Sequence, residues 1–587
     1  MPPVSRRSVL ATITGGVASG TSGCLRRFRT VAGRERSEQV TLSIRTTPAD
    51  EDPIAVRLAR YLAVRLDRVG IDAEVIPMTE AELLRSVLIE HDFELYVTRH
   101  PGRTNPDFLW SSLHSRFGNE PGWQNPFGYT NLQVDDLLDE QRRTTGRDRR
   151  EALAELQREI ARTQPYTVIA FPDTIRAVRA DGAATDLGTA FDTALEYLAL
   201  ERPAEWTEET LRVATTDERP TENRNPLAVA FHDRDVFAEL LYDPLFRHDG
   251  EQFVPWLAMS LSWQETGHDG PVATVELRPG ATWHDGRPLT ATDVAFTYRF
   301  LADTALDAEA NVPAPRFRGR SALIERIEAL DERTLRVAFV ESNRTVAARA
   351  FTVPVLPAHK WRERADPTAI AGIDTSDTTE ALVRPNHKPV GSGPLRFERA
   401  DPDERLVLER VDEHFSRSNE LGERLDGGFA FEQLHAIVVP SGRTAIELLG
   451  ESEAEATATS LAPGDVPHIG RTGGVGLAIT PSEEFYHLGF NARGIPLDNP
   501  RFRRAVARLL DKAHLVADVF DEYATPAASP LARKDALTPS LAWEGSDPEL
   551  PFPGDRGTLD VPRARQAFRD AGYRYGENDA LLARSRE

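Results

Sequence analysis

The side chain with the most distinctive chemistry is the only thiol, Cys24, which has no partner for a disulfide within the chain. It closes the run Thr21-Ser22-Gly23-Cys24, which resembles a lipobox with Thr21 where Leu would be stronger. In such a run the thiol takes a lipid through a thioether and becomes the new N-terminus. Upstream, Ser5-Arg6-Arg7-Ser8-Val9-Leu10 resembles a twin-arginine (Tat) export signal, with Val9 where Phe is more usual. The Gly-rich run Ala11–Gly20 between them is too short and too weakly apolar to span a membrane. Two readings fit Cys24: lipid attachment, or simple cleavage nearby that leaves the thiol free or removes it.

Catalytic chemistry has no motif here. The sequence holds no G-x-x-x-x-G-K-[ST] loop, no H-E-x-x-H helix and no G-x-S-x-G turn. Its 14 histidines are scattered without metal-ligand spacing, and His284 beside Asp285 reads as turn chemistry. A protein that binds rather than catalyses, without metal or cofactor, is therefore expected.

Charge narrows the partners. The net charge is −22, and the basic residues are almost all Arg, with Lys only at Lys360, Lys388, Lys512 and Lys534. So acidic a surface repels nucleic acid. Acid-rich, Lys-poor composition resembles that of proteins from high-salt cells, where salt screens the repulsion among carboxylates, and a haloarchaeal source is expected. An Arg-favouring, GC-rich genome would leave the same mark. Residues 25–39 read as a tether carrying Arg26, Arg27, Arg29, Arg34 and Arg36, which favour an anionic membrane surface. Salt screens that attraction, so the lipid must do most of the anchoring.

From Val40 the pattern is α/β. Val40–Arg45 alternates as a half-buried strand, Ile54–Val69 carries a helical apolar stripe ended by Gly70, and Ile71–Ile76 is the next strand. A helix over Glu80–Ile89 and a strand over Phe93–Val97 follow, then a Pro/Gly/aromatic loop over 98–131. Val134–Gln141 and Asp148–Thr163 read as helices and Tyr166–Phe171 as a strand. Strands alternating with helices predict a largely parallel sheet. The stretch 200–210 reads as a charged connector.

Particular strings carry a family resemblance. Residues 40–171 resemble the C-terminal part of the extracellular solute-binding proteins of family 5, the oligopeptide, dipeptide and nickel class. The matching strings are Val69-Gly70-Ile71-Asp72, Asn105-Pro106-Asp107-Phe108-Leu109 and Gly128-Tyr129-Thr130-Asn131. Residues after the connector resemble that family's beginning, most specifically at Arg278-Pro279-Gly280-Ala281-Thr282-Trp283-His284-Asp285-Gly286. The last block resembles its middle, at Leu488-Gly489-Phe490-Asn491, Pro500-Arg501-Phe502-Arg503-Arg504-Ala505 and Gly572-Tyr573. The order is end, beginning, middle, which a circular permutation explains. An independent N-terminal domain and a segment swapped between two chains are the alternatives.

The resemblance implies a two-lobed, periplasmic-binding-protein-like α/β fold of type II with an extra subdomain. The expected division is a signal at 1–24, a tether at 25–39, part of lobe two at 40–163, and a hinge return with lobe-one strands at 164–199. The connector follows at 200–210, then lobe one at 211–478 with its subdomain near 253–385, and the hinge with the rest of lobe two at 479–587. Hinge crossings are expected near Gln164–Phe171 and Leu488–Asn491. Helix 562–571 should end close to strand 40–45, and strand 211–216 should lie near 166–171.

The resemblance also implies capture of a peptide-like or other organic solute for the permease of an ABC importer, by a monomer lipid-anchored outside the cell. A sensor, a chaperone or a degenerate receptor of the same fold would leave the same sequence. Ligand contacts are expected from Arg99, His100, Arg103, Asn105, Trp123, Tyr129 and Asn491. Peptide-binding relatives carry a Trp and then an acid in the loop, where this chain has His100 and no acid. Arg103 would suit a carboxylate or phosphate; solvated loop charge is the other reading of Arg99 and Arg103. Trp110, Trp123, Phe127 and Tyr129 are candidate cleft walls, with core packing the stronger reading for any one of them, and Asn491 is a ligand contact or a turn former.

Overall fold

The computed structural model of the chain describes residues 38–583, except 103–104, 181–190, 201–208, 229–235, 250–251, 266, 307–310, 369–377, 419–420, 422–427, 533–535 and 577. Arg6, Arg7, Cys24, Arg103 and most of the connector and tether lie outside the described residues.

Local chemistry explains the first elements. Strand β1 (Thr41–Thr46) alternates buried and open positions. Helix α1 (Pro53–Arg68) starts where the Asp52 carboxylate accepts from the Ile54 and Ala55 amides, with Pro53 at its first position. Gly70, at φ +88°, ends it and turns the chain into β2 (Asp72–Pro77), which pairs parallel with β1. A Thr79–Glu82 capping box opens α2 (Glu80–Leu88). Strand β3 (Leu95–His100) pairs parallel with β1 on its other edge. Then come α3 (Phe108–Leu113), α4 (Leu132–Arg143), α5 (Gly146–Thr163) and the long strand β4 (Tyr166–Arg179). The Asn131 side chain caps α4 by accepting from the Gln133 and Val134 amides.

The rest of the main sheet is β5 (Thr210–Thr215), β6 (Leu395–Asp401), β7 (Arg405–Arg410), β8 (Gln433–Val438), β9 (Ala456–Thr457), β10 (Val475–Pro481), β11 (Phe485–Phe490) and β12 (Ala524–Pro526). Its order is β6-β7-β8-β5-β9-β4-β11-β3-β1-β2, with β10 and β12 also on β4. Strand β4 therefore runs through two lobes. Its first half pairs with β11 and β12, and its second half with β10 and β9.

Each lobe has a core on either face of its part of the sheet. In lobe two, Leu42, Leu58 and Leu66 pack with Phe490, Phe502 and Phe568. Residues 40–163 thus share a core with residues from 485 onward and are not a separate globule. The Val40 amide donates to the Leu581 carbonyl at 2.8 Å and the Leu581 amide to the Gly70 carbonyl at 2.7 Å. In lobe one, a separate four-stranded sheet spans Ala258–Gln264, Val272–Leu277, Ile324–Ala329 and Thr334–Phe339.

Three local expectations are corrected. The third strand begins at Leu95 rather than Phe93, because the Glu94 carboxylate is turned to the Ser43 amide and hydroxyl at 2.8 and 2.7 Å. It continues to His100 because β11 pairs along it, with Phe485 opposite His100. Arg99 and His100 therefore stand on a strand, not in a loop. The lobe crossings fall at Pro172–Asp173, where β4 exchanges β12 for β10, and at 481–485, between β10 and β11. Lastly, β5 is separated from β4 by β9 and approaches it at Val178, not near 166–171.

Candidate functional site

A space of about 70 Å³ lies where the two lobes meet. Lobe two supplies His100 and Gly102 from the end of β3, Ser112 from α3, and Trp123 and Gln124 from the turn beyond it. Lobe one supplies Arg316, Phe317, Gly319, Arg320 and Arg349.

The lobe-two wall is rigid for identifiable reasons. His100 is buried, and its ring stacks on Phe485 at 4.7 Å and 10°. Trp123 meets it nearly edge-on at 4.9 Å. The His100 Nδ1 accepts the Gly102 amide at 3.0 Å, so the proton of the neutral ring sits on Nε2. Gly102 holds φ +57°, and a Cβ there would lie 1.9 Å from the Glu483 carbonyl oxygen. Only glycine lets the end of β3 press so closely on the lobe crossing. Beneath, His487 packs against His100 and contacts the Tyr96 hydroxyl at 3.0 Å, and burial pushes its imidazole down to about 3. It is thus a neutral aromatic filler at ordinary pH.

The lobe-one wall is cationic. The guanidinium carbons of Arg316 and Arg320 lie 5.5 and 4.8 Å from the centre of the Phe317 ring. Arg316 also donates to the Pro226 carbonyl, and Arg320 to the Thr352 carbonyl and hydroxyl. These ties fix the two heads beside the ring.

Beside the cavity a buried polar group joins the lobes. Asp107 accepts from Gln141 at 2.8 Å and from Arg142 at 2.7 and 2.9 Å, and also from Arg349 across the lobe boundary. Burial raises its carboxyl, but the Arg142 and Arg349 guanidiniums outweigh burial and hold it below the usual carboxylate value. Arg142 in turn lies 3.4 Å over the Trp110 ring. Asn343 reaches from lobe one to the Arg142 and Thr144 carbonyls at 3.0 and 2.9 Å. Glu120 and Arg318 form a two-pronged pair at 2.8 and 3.2 Å, and the Gln124 side chain donates to the Pro315 carbonyl.

Of the residues singled out from the sequence, the structure brings His100 and Trp123 together on this space. Arg99 sits between Asp52 and Glu484 at 3.4 and 3.6 Å and is not among the lining residues. Asn105 accepts from the Asp107 amide and from Arg149. Tyr129 is buried, with its hydroxyl 2.7 Å from that of Thr163. Asn491 donates to the His91 and Phe93 carbonyls at 3.1 and 2.8 Å, fixing the turn after β11. Trp110, Phe127 and Tyr129 belong to one core cluster.

Sequence reasoning passed over Arg316, Arg320 and Arg349, and over Asn125, whose side chain bonds to Tyr129 and His114 and shapes the loop. The run Pro315-Arg316-Phe317-Arg318-Gly319-Arg320 was the available signal. Among the described residues, no group of three His, Cys, Asp or Glu stands ready to hold a metal ion, and no helix is long and apolar enough to cross a membrane.

Known proteins resemble this chain over part of its length. The family model of bacterial extracellular solute-binding proteins, family 5 Middle, matches residues 252–585. A peptidoglycan-binding protein of Agrobacterium fabrum is 28% identical over 186 residues, 31% of this chain and 26% of that one. A glutathione-binding protein of Pectobacterium atrosepticum is 24% identical over 350 residues, 59% of this chain and 58% of that one. The chain thus spans about a quarter of the first relative's length and little more than half of the second's. Among solved structures, NikZ of Campylobacter jejuni, in complex with nickel and L-histidine, matches with a TM-score of 0.45 and 18% identity, over 64% of this chain and 66% of that one.

Proposed function

The chain belongs to the bacterial extracellular solute-binding proteins of family 5, and from that premise we propose that it captures a peptide-like or other organic solute for an ABC importer. One observation carries the reading: a single space is walled by both lobes, with His100 and Trp123 on one side and Arg316 and Arg320 on the other. A solute held there touches both lobes, so binding favours closure about β4 and the 481–485 crossing. The closed form is what the permease meets.

His100 and Trp123 are the ligand contacts from lobe two, with Arg103 two residues beyond Pro101 in the sequence. Asn105, Tyr129 and Asn491 act through the loop and turn they hold in place, and Arg99 through its ties to Asp52 and Glu484. The protein is a monomer, exported through Arg6-Arg7 and held outside the cell by a lipid on Cys24. Its order of segments is that of a circular permutant, with 200–210 joining the family's former ends. The proximity of residues 38–40 to 581–583 supports this, because a chain opened in a surface loop keeps its new ends adjacent. The tether accordingly leaves from lobe two.

A thermal-shift screen of the full chain in high salt, using short peptides, sugars, organic acids and phosphate esters, tests the role. At least one solute is expected to raise the midpoint, since ligand at 100 times its Kd adds about 2.7 kcal/mol. Failure of every class would reduce the chain to a degenerate receptor.

A further inference from the structure

We infer that Glu120, Arg318 and Asn343 are the positioning residues of a latch that holds the two lobes closed with no solute between them. The inference goes beyond the importer reading. Failure of the solute screen leaves the latch standing, and a chain whose lobes rest apart leaves the solute reading standing.

Three observations carry it. The first is where two helix ends find their partners. A helix leaves its last carbonyls without an internal donor. At the end of α4, in lobe two, the Arg142 and Thr144 carbonyls accept from the side-chain amide of Asn343, in lobe one, at 3.0 and 2.9 Å. The Asn343 backbone amide donates to the Arg142 carbonyl as well, at 2.6 Å. The Asn343 Oδ1 accepts from the Val346 amide at 2.9 Å and so caps the short helix Arg344–Ala348. One buried side chain thus caps two helices, one in each lobe.

The second is charge. The Glu120 carboxylate of lobe two accepts two bonds from the Arg318 guanidinium of lobe one, at 2.8 and 3.2 Å, and both side chains are half-buried. The guanidinium carbon of Arg318 also lies 5.7 Å from the centre of the Phe117 ring. A two-pronged pair fixes direction as well as distance, and partial burial shields it from salt. The Asp107 carboxylate, shared by Arg142 and Arg349, adds another tie across the same boundary.

The third is close approach. A Cβ on Gly319 would lie 2.6 Å from the Ser111 Oγ and 3.0 Å from its Cβ, on α3. A Cβ on Gly122 would lie 2.8 Å from that of Pro315. The two lobes meet here backbone to side chain, with no room for a further group. Each bond of the latch joins one protein group to another, so it holds without a solute. A solute that touches both lobes then strengthens a closure already favoured.

The test is a distance measurement by pulsed electron double resonance. Spin labels go on Leu132→Cys in lobe two and Leu330→Cys in the lobe-one subdomain, both exposed positions, in a full chain carrying Cys24→Ser. Dialysis strips the chain, and native mass spectrometry confirms that it carries no small molecule. One narrow, short-distance population is expected. Arg318→Glu, Glu120→Arg and Asn343→Ala, each alone, should lower the ratio of closed to open chains about tenfold and move the distances outward. Glu120→Arg combined with Arg318→Glu should restore the short distance, a recovery that damage to the fold cannot imitate. Far-UV circular dichroism confirms that each variant is folded. A broad or two-peaked distribution in the parent chain overturns the inference. So does a short distance that no variant changes, or a charge exchange that stays open.

Discussion

Asp107→Ala is expected to lower the stability of the chain by about 3–5 kcal/mol, more than any other single side-chain truncation at the cleft. Its carboxylate is fully buried and accepts from Gln141, Arg142 and Arg349. Removing it takes the buried carboxylate that Arg142 and Arg349 share away from both guanidiniums. Burying an ion pair gains little over an apolar pair, but stranding one partner is costly. Because Arg349 comes from lobe one and Asp107 from lobe two, the loss also frees the lobes to part. Asp107→Asn keeps the shape and an acceptor and should cost less. The pH dependence has a definite sign. The folded-state carboxyl is held below its ordinary value, so this contribution is present above the unfolded pKa near ~3.9 and is lost as pH falls through the lower folded value. The difference between wild type and Asp107→Asn should accordingly shrink only in acid. Urea unfolding followed by circular dichroism measures all of this; a penalty under about 1 kcal/mol would show that the group is not the clasp described.

A disulfide between Gln39→Cys and Leu582→Cys, in a chain carrying Cys24→Ser, should close within one molecule and raise stability by up to about 5 kcal/mol. The two residues form an antiparallel bridge, and opposed strand residues have Cα separations of ~4.5–5.5 Å, within the range a disulfide spans. The bond would join positions 543 residues apart in sequence. That closure is available only if the block from residue 38 and the block ending at 583 complete one lobe of the same chain. A non-reducing gel should show monomer. Covalent dimers would mean that the block swaps between chains, and no bond at all would mean that it docks elsewhere. In the same spirit, the proposed permutation predicts that a chain reordered as 209–583 followed by 38–200 folds to the same lobes.

What could be read from the sequence was what local chemistry decides. The Asp52-Pro53 start of α1, the Gly70 stop, the Asn131 cap and the alternation of β1 are all written within a few residues. The two-lobed α/β class followed from longer strings. Distant pairing decided the rest. The register of β3 depends on β11, nearly four hundred positions away, so Arg99 and His100 read as loop residues. Tyr129 looked like a cleft aromatic because its partner, Thr163, sits at the end of α5 and nothing nearby announces it. Asn491 looked like a ligand contact because the carbonyls that take its amide, at 91 and 93, lie about 400 positions away in sequence. Arg316 and Arg320 were passed over, since only the docking of lobe one against Trp123 and Gln124 turns that run into a wall.

The central claim is that one solute is gripped by both lobes at once. Hydrogen–deuterium exchange of the full chain, with and without a defined mixture of small organic acids, phosphate esters and short peptides, tests it most directly. Protection is predicted to appear together in the segments around His100–Gln124 and Pro315–Arg320, while β6–β8 at the far edge of the sheet stays unchanged. Protection of one segment without the other, or of neither, would contradict it.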